Sequence, residues 1–226
     1  LASLAVEQVG PLLFANCVSK GAAPSGPPPS VRWAALWKRL EATGWQSLQL
    51  ARVARYSLNC NWKVFVDNYL DGGYHVAAVH PGLAGQLELD SYKTEVFEDY
   101  SIQSCGGASG RIGSEAIYAF LYPNFMINRY GDAMDVNLVL PRGASACEVV
   151  FAFYFTPELL ADSERVNAAI ASSDQVQQED IGICESVQKG LASGGYIPGR
   201  YSVFRQGAER AFHVRLAKQL AGEFAG

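Results

Sequence analysis

The chain has 226 residues, 49% hydrophobic and 18% charged, a balance that excludes a disordered polymer and supplies one large core or two small ones. A formal net charge of −4 excludes a basic footprint for nucleic acid or an anionic membrane surface, so the expected partner is a small molecule or a protein. No apolar run reaches the roughly 18 to 20 residues of a membrane span, and the N-terminus lacks the charged-then-apolar order of a signal peptide.

The first residue is Leu1 rather than Met, which suggests a processed or truncated product. Residues 4 to 18 are rich in β-compatible side chains and break at Gly10-Pro11, which predicts two short strands or a bulged one. The proline-rich stretch 21 to 30 reads as a surface linker. Residues 31 to 41 predict a short helix with Trp33, Leu36, Trp37 and Leu40 on one face. Residues 50 to 58 predict a strand, and Asn61 is a good N-cap for a helix burying Trp62, Phe65, Val66, Tyr69 and Leu70. Gly72-Gly73 ends that helix or lets the backbone approach something closely.

From 92 to 156, β-rich runs at 92–97, 100–104, 116–128, 134–140 and 147–156 alternate with turn signals, which predicts an antiparallel meander. Pro157 opens a helical stretch. The five cysteines, Cys17, Cys60, Cys105, Cys147 and Cys184, form no Cys-x-x-Cys or Cys-x-His pair and read as reduced and mostly buried.

Only three histidines are present, and His75 and His80 stand just beyond Asp67, Asn68 and Asp71. Such a pair is either structural, with each ring satisfied by a carbonyl or a tyrosine hydroxyl, or a pair of metal ligands. A helix predicted over Ser173 to Leu191 places Val176, Ile183, Cys184, Val187 and Leu191 on one apolar stripe, with Asp180 in its middle. Asp174 and Glu185 fall on the solvated side and Glu179 lies off the stripe. An inward carboxylate needs a partner, either an arginine such as Arg200 or Arg205 or a metal. Two histidines with one such carboxylate have the composition of the facial triad that binds non-haem Fe(II). The third histidine, His213, reads as a surface or helix-packing residue.

The segments Asn61-Trp-Lys-Val-Phe, Tyr74-His75-Val-Ala-Ala-Val-His80-Pro81, Tyr118 to Gly131 and Gln178-Glu-Asp180-Ile-Gly-Ile-Cys184 follow one another across most of the chain. In that order they resemble the catalytic domain of Rieske non-haem iron oxygenase α subunits, on the choline monooxygenase branch. The resemblance implies an α+β helix-grip fold of the START/Bet v 1 type, a curved antiparallel sheet around a long C-terminal helix running from about Arg205 to Phe224. It implies one catalytic domain over residues 1–226, with 1–20 the strand region that follows a Rieske domain.

It further implies mononuclear Fe(II) on His75, His80 and Asp180, O₂ as oxidant, and two electrons from a ferredoxin-type donor through a Rieske [2Fe-2S] cluster. On this branch choline becomes betaine aldehyde hydrate, and the subunits form a homotrimer in which one cluster serves its neighbour's iron. The cluster's Cys-x-His and Cys-x-x-His pairs are absent here, so the cluster is expected only in a missing N-terminal domain and the chain alone is expected to be inactive. Many relatives carry an acid three residues before the first ligand histidine. Gly72 occupies that place, with Asp71 one position earlier. Asp71 and Asn68 are therefore the expected catalytic residues, and Tyr74 a further neighbour of the ligands. The expected compartment is the cytoplasm of a bacterium or the plastid stroma of a plant or alga.

A quaternary ammonium has no proton to donate, so its pocket should use aromatic faces, each worth about 2 kcal/mol when desolvated. Tyr118, Tyr122, Phe125, Tyr130 and Phe153 are the candidates, with sheet core as their competing role. The alternatives are an oxygenase of the same family acting on an aromatic ring or another trimethylammonium compound, a helix-grip binding module without redox metal, and an inactive fragment.

Overall fold

The computed structural model describes residues 4–16, 26–107 and 112–222; Cys17, the first half of the proline-rich linker and Phe224 lie outside them. The first apolar segment folds back at Gly10 into β1 (Ala5–Val9) and β2 (Leu12–Asn16), paired antiparallel. Two short helices follow, α1 (Pro29–Arg32) and α2 (Ala34–Glu41). As the three- and four-residue spacing requires, Trp33, Leu36, Trp37 and Leu40 are buried together. Trp37 stacks on Trp45 with ring centroids 5.5 Å apart.

Strand β3 (Gln49–Leu58) leads into α3 (Trp62–Leu70), whose cap residue Asn61 accepts the Lys63 N–H at 3.1 Å. One-turn helices α4 (Val76–Val79) and α5 (Pro81–Ala84) carry the chain on to β4 (Leu87–Val96). Then come β5 (Tyr100–Gly107), β6 (Glu115–Leu121), β7 (Phe125–Tyr130), β8 (Ala133–Pro141) and β9 (Cys147–Phe155). The run at 116–128, expected as one strand, is two. Pro123 offers no N–H to a ladder, and the chain turns there between β6 and β7.

The sheet order is β3-β9-β8-β7-β6-β5-β4, antiparallel throughout. From β4 to β9 each strand pairs with the next in sequence, the meander that the turn signals predict. The connection from β3 to β4 must therefore cross from one sheet edge to the other, and it is this crossing that carries α3, α4 and α5 with both histidines over the sheet.

Two cores result from the strand period of two. Ala116, Phe120, Met126, Tyr130 and Phe151 face the helices on one side, while Ile117, Ala119, Leu121 and Ile127 face β1, β2 and the tryptophans on the other. The four described cysteines are buried and free.

After α6 (Pro157–Leu160) runs α7 (Ser163–Ala192), capped by Asp162 and begun ten residues before the expected start; at 30 residues it, and not the segment expected from about Arg205 to Phe224, is the longest helix among the described residues. Its buried line is Ile170, Ser173, Gln177 and Cys184, whereas Val187 and Leu191 are exposed, because the helix runs on beyond the layers that cover it. The last helix, α8 (Gly207–Leu220), is shorter and packs against β4 and α3. His213 ties it to α3 through Nε2 to Asp67 at 2.8 Å, with Nδ1 meeting the Tyr201 hydroxyl. The Asp67 hydrogen bond outweighs partial burial and holds the His213 pKa above the ordinary histidine value.

Candidate metal centre

Helix α3 is anchored by Val64, Phe65, Val66 and Leu70 on its buried side. Its register against α7 is set by hydrogen bonds at its start. The Asn59 backbone and amide both donate to Glu185 at 2.9 Å, and the Asn61 N–H donates to Gln188 at 2.8 Å. Glu185, expected to point to solvent, therefore joins the two helices, and Asp174 likewise accepts the Tyr56 hydroxyl.

Beyond Leu70 the chain reverses through Gly72 and Gly73, at φ +75° and +72°. A Cβ on Gly72 would lie 2.3 Å from the Arg205 carbonyl oxygen, and one on Gly73 2.8 Å from the Tyr92 ring. Both the conformation and the space demand glycine. This reversal brings Asp71 under the next turn, where it accepts the N–H groups of Tyr74 and His75 at 3.1 and 3.0 Å and meets His75 Nδ1 at 2.6 Å. The four-residue offset of Asp71 thus reaches the first histidine ring.

His80 ends α4 and precedes Pro81 at the first turn of α5, with a side chain only 2% exposed. Its Nδ1 is 2.6 Å from Glu179 Oε2 and its Nε2 is 3.0 Å from Asp180 Oδ1. His75 Nε2 stands 3.8 Å from the same Asp180 oxygen, to which the Asn68 amide donates at 2.7 Å. Donor atoms of His75, His80 and Asp180 all lie within 4.8 Å of one another. Among the described residues Asp180 forms its charge contacts with the two histidines and with no arginine, so the ion-pair alternative is not what the structure holds.

The arrangement suits an ion. Adjacent donors about 2.1 Å from a metal stand about 3 Å apart, close to the separations found. Each Nδ1 is committed to a carboxylate, which leaves both Nε2 atoms directed at the shared oxygen, the usual fixing of a ligating imidazole. Burial pushes the His80 pKa down, but hydrogen bonds and charge from Asp180 and Glu179 outweigh it and raise it above the ordinary value. The same His80 contact lowers the Glu179 pKa.

Replacing Glu179 with Ala should weaken metal binding about 10- to 100-fold, as loss of an outer carboxylate typically does. Titration of the purified variant with Fe(II) or Co(II) measures this, and an unchanged affinity would show that His80 needs no such partner.

A cavity of about 130 Å³ adjoins the three donors, near the roughly 150 Å³ that admits benzene in an engineered core. Of the aromatic residues expected there, Tyr118 and Tyr130 line it; Tyr122, Phe125 and Phe153 do not. Phe125 projects from the opposite sheet face and packs on Phe14 at 6.1 Å. Tyr122 follows the end of β6 and lies beneath Arg215 at 5.0 Å. Phe153 is on the helix-facing side but buried in its core behind Phe151, 5.8 Å away. The lining that sequence reasoning missed includes Phe65, Tyr69 and Tyr92, and Phe151 of β9 also borders the cavity. Asn68 and Asp71 also border the cavity, whereas Tyr74 is 80% exposed.

The ring hydroxylating alpha subunit (catalytic domain) family model matches residues 45–112 and 107–222. Choline monooxygenases named chloroplastic are 51% identical over 172 residues in Arabidopsis thaliana and 40% identical over 180 in Beta vulgaris, covering 73% and 77% of this chain. The carnitine monooxygenase oxygenase subunit of Escherichia coli K12 is 31% identical over 60% of the chain. The chain spans about two fifths of the length of these relatives: 40%, 40% and 38%. Among solved structures, the quaternary ammonium Rieske monooxygenase CntA superposes with a TM-score of 0.78 at 24% identity, over 95% of this chain and 60% of that one. The chain belongs to the ring hydroxylating alpha subunit family, of which it matches the catalytic domain.

Proposed function

We propose that this domain binds Fe(II) through His75, His80 and Asp180 and hydroxylates choline at the carbon bearing its alcohol. The observation that carries the reading is the convergence of two imidazole Nε2 atoms and one carboxylate oxygen beside a tyrosine-lined cavity. The similarity to plant choline monooxygenases supports choline as the trimethylammonium compound.

Bound iron supplies the activation of O₂, with two electrons delivered from a ferredoxin-type donor through a Rieske cluster outside this chain. The chain's own residues do the positioning. Asp71 and Glu179 hold the Nδ1 protons of His75 and His80, so that the Nε2 lone pairs face the ion. The Asn68 amide fixes the Asp180 oxygen. Tyr69, Tyr92, Tyr118 and Phe151 line the cavity and offer aromatic surface to a cation.

Asp71 is also the group that would couple His75 to a neighbouring subunit's cluster. The surface beside it suits such a partner: Tyr74 is exposed there, and Arg205, whose backbone abuts Gly72, follows Val203 and Phe204, 86% and 91% exposed. A homotrimer would cover these apolar side chains. The chloroplastic relatives favour the plastid stroma, and no helix among the described residues is long and apolar enough to cross a membrane.

The test is loading with Fe(II) without oxygen, iron analysis, and then addition of choline with hydrogen peroxide, which carries dioxygen and two electrons together. One peroxide oxygen enters the C–H bond to give betaine aldehyde hydrate and the other leaves as water. Aldehyde formed only by the iron-loaded protein supports the reading. Failure of the folded protein to take up iron overturns the oxygenase assignment, and iron-loaded protein that neither binds nor converts choline overturns the substrate.

A further inference from the structure

We infer that Gln177 recognises the oxygen-bearing end of the substrate, its side-chain amide donating a hydrogen bond to the hydroxyl of a small trimethylammonium alcohol. This rests on the reading of the site given above and names the residue that selects among cations. Gln177 lies on α7, is 2% exposed and borders the cavity, yet its Nε2 has no acceptor among the described residues. Leaving a buried N–H without a partner is costly, so such a donor beside a cavity is explained when the occupant brings the acceptor.

The neighbouring wall is different. Asn128 donates to Asp135 and Asn137 at 2.7 and 2.9 Å, Tyr130 donates to Asp135 at 2.6 Å, and Tyr69 donates to Asn128 at 2.8 Å. Those groups engage one another. Two further buried polar atoms among the described residues have no partner, Trp45 Nε1 and Ser101 Oγ, and neither residue borders this cavity.

Position strengthens the case. Gln177 precedes Asp180 by three residues on the same face of α7, about 4.5 Å along the axis. An oxygen held by Gln177 is therefore held in the same cavity that His75, His80 and Asp180 line. The trimethylammonium head is left to the aromatic faces of the cavity, which recognise charge and shape but not the hydroxyl.

The test compares choline with ethyltrimethylammonium, the same cation without the hydroxyl, by calorimetric titration of the Fe(II)-loaded chain without oxygen. The unaltered chain should bind choline about 3- to 10-fold more tightly, the worth of one neutral hydrogen bond. Gln177→Leu and the unbranched Gln177→Met should bind the two cations equally, with circular dichroism and iron content confirming that each variant is folded. Equal binding of both cations by the unaltered chain, or a preference for choline that survives in a folded variant, overturns the role of Gln177 while leaving the substrate reading intact. Binding of neither cation overturns that reading, and this inference with it.

Discussion

Asp180→Ala is expected to leave the chain without bound ferrous ion after loading in the absence of oxygen and desalting. The unaltered chain should retain about one iron per molecule, as a single site of two imidazoles and one carboxylate requires. The carboxylate is the only charged donor of the three, and its Oδ1 is the atom on which both Nε2 atoms and the Asn68 amide converge. Removing it leaves two neutral ligands and an unpaired amide. The loss should exceed the 10- to 100-fold expected for an outer partner, so Asn68→Ala provides a graded comparison: weaker binding, not its abolition. His75→Ala and His80→Ala should behave like Asp180→Ala. Elemental analysis with circular dichroism reads all four, and a folded Asp180→Ala protein that keeps its iron would remove Asp180 from the ligand set.

Gly72→Ala should be strongly damaging for so small a substitution. An alanine at φ +75° carries roughly 1 to 2 kcal/mol of backbone strain. Its Cβ would also stand 2.3 Å from the Arg205 carbonyl oxygen, a backbone atom that no rotamer change can move. Together these should cost about 3 to 5 kcal/mol, and at roughly 2 to 4 °C per kcal/mol the melting temperature should fall by about 10 °C. Gly82, with no neighbouring atom within 4 Å of an added Cβ, is the control, and Gly82→Ala should be neutral to slightly stabilising. A Gly72→Ala protein that melts with the parent would mean that the reversal after α3 is looser than the close contact requires. Iron affinity should fall along with stability, because the same reversal brings Asp71 to His75.

What the sequence could reveal depended on how local the signal was. The Asn61 cap, the His75 and His80 pair and the inward phase of Asp180 are each set by neighbours within a few residues. The structure brings those three side chains together. The pocket walls were harder to read. Strands β6 to β9 have a core on both faces, so polar and apolar residues do not alternate, and Phe125 and Phe151 look equally suited to line a cavity. Glu179 was passed over because it leaves the apolar stripe of α7, yet His80 comes in from a segment 99 residues away to meet it. The reach of Asp71 depended on two consecutive left-handed glycines, whose effect on direction no count of residues conveys. The stripe itself misled beyond Cys184, since periodicity carries no record of where a covering layer stops.

The antiparallel sheet and the crossing between its edges divide responsibility within the domain. His75, His80 and Asp180 stand on α7 and on the segment joining β3 to β4, whereas Tyr118, Asn128, Tyr130, Asn137 and Phe151 stand on β6 to β9. Much of the cavity wall is thus carried by pieces of chain other than those bearing the three donors, with Tyr69 and Gln177 as the points where the two meet. Variation confined to the strands can reshape that wall while the segments bearing His75, His80 and Asp180 stay in place, which makes this scaffold open to diversification by descent or by directed evolution.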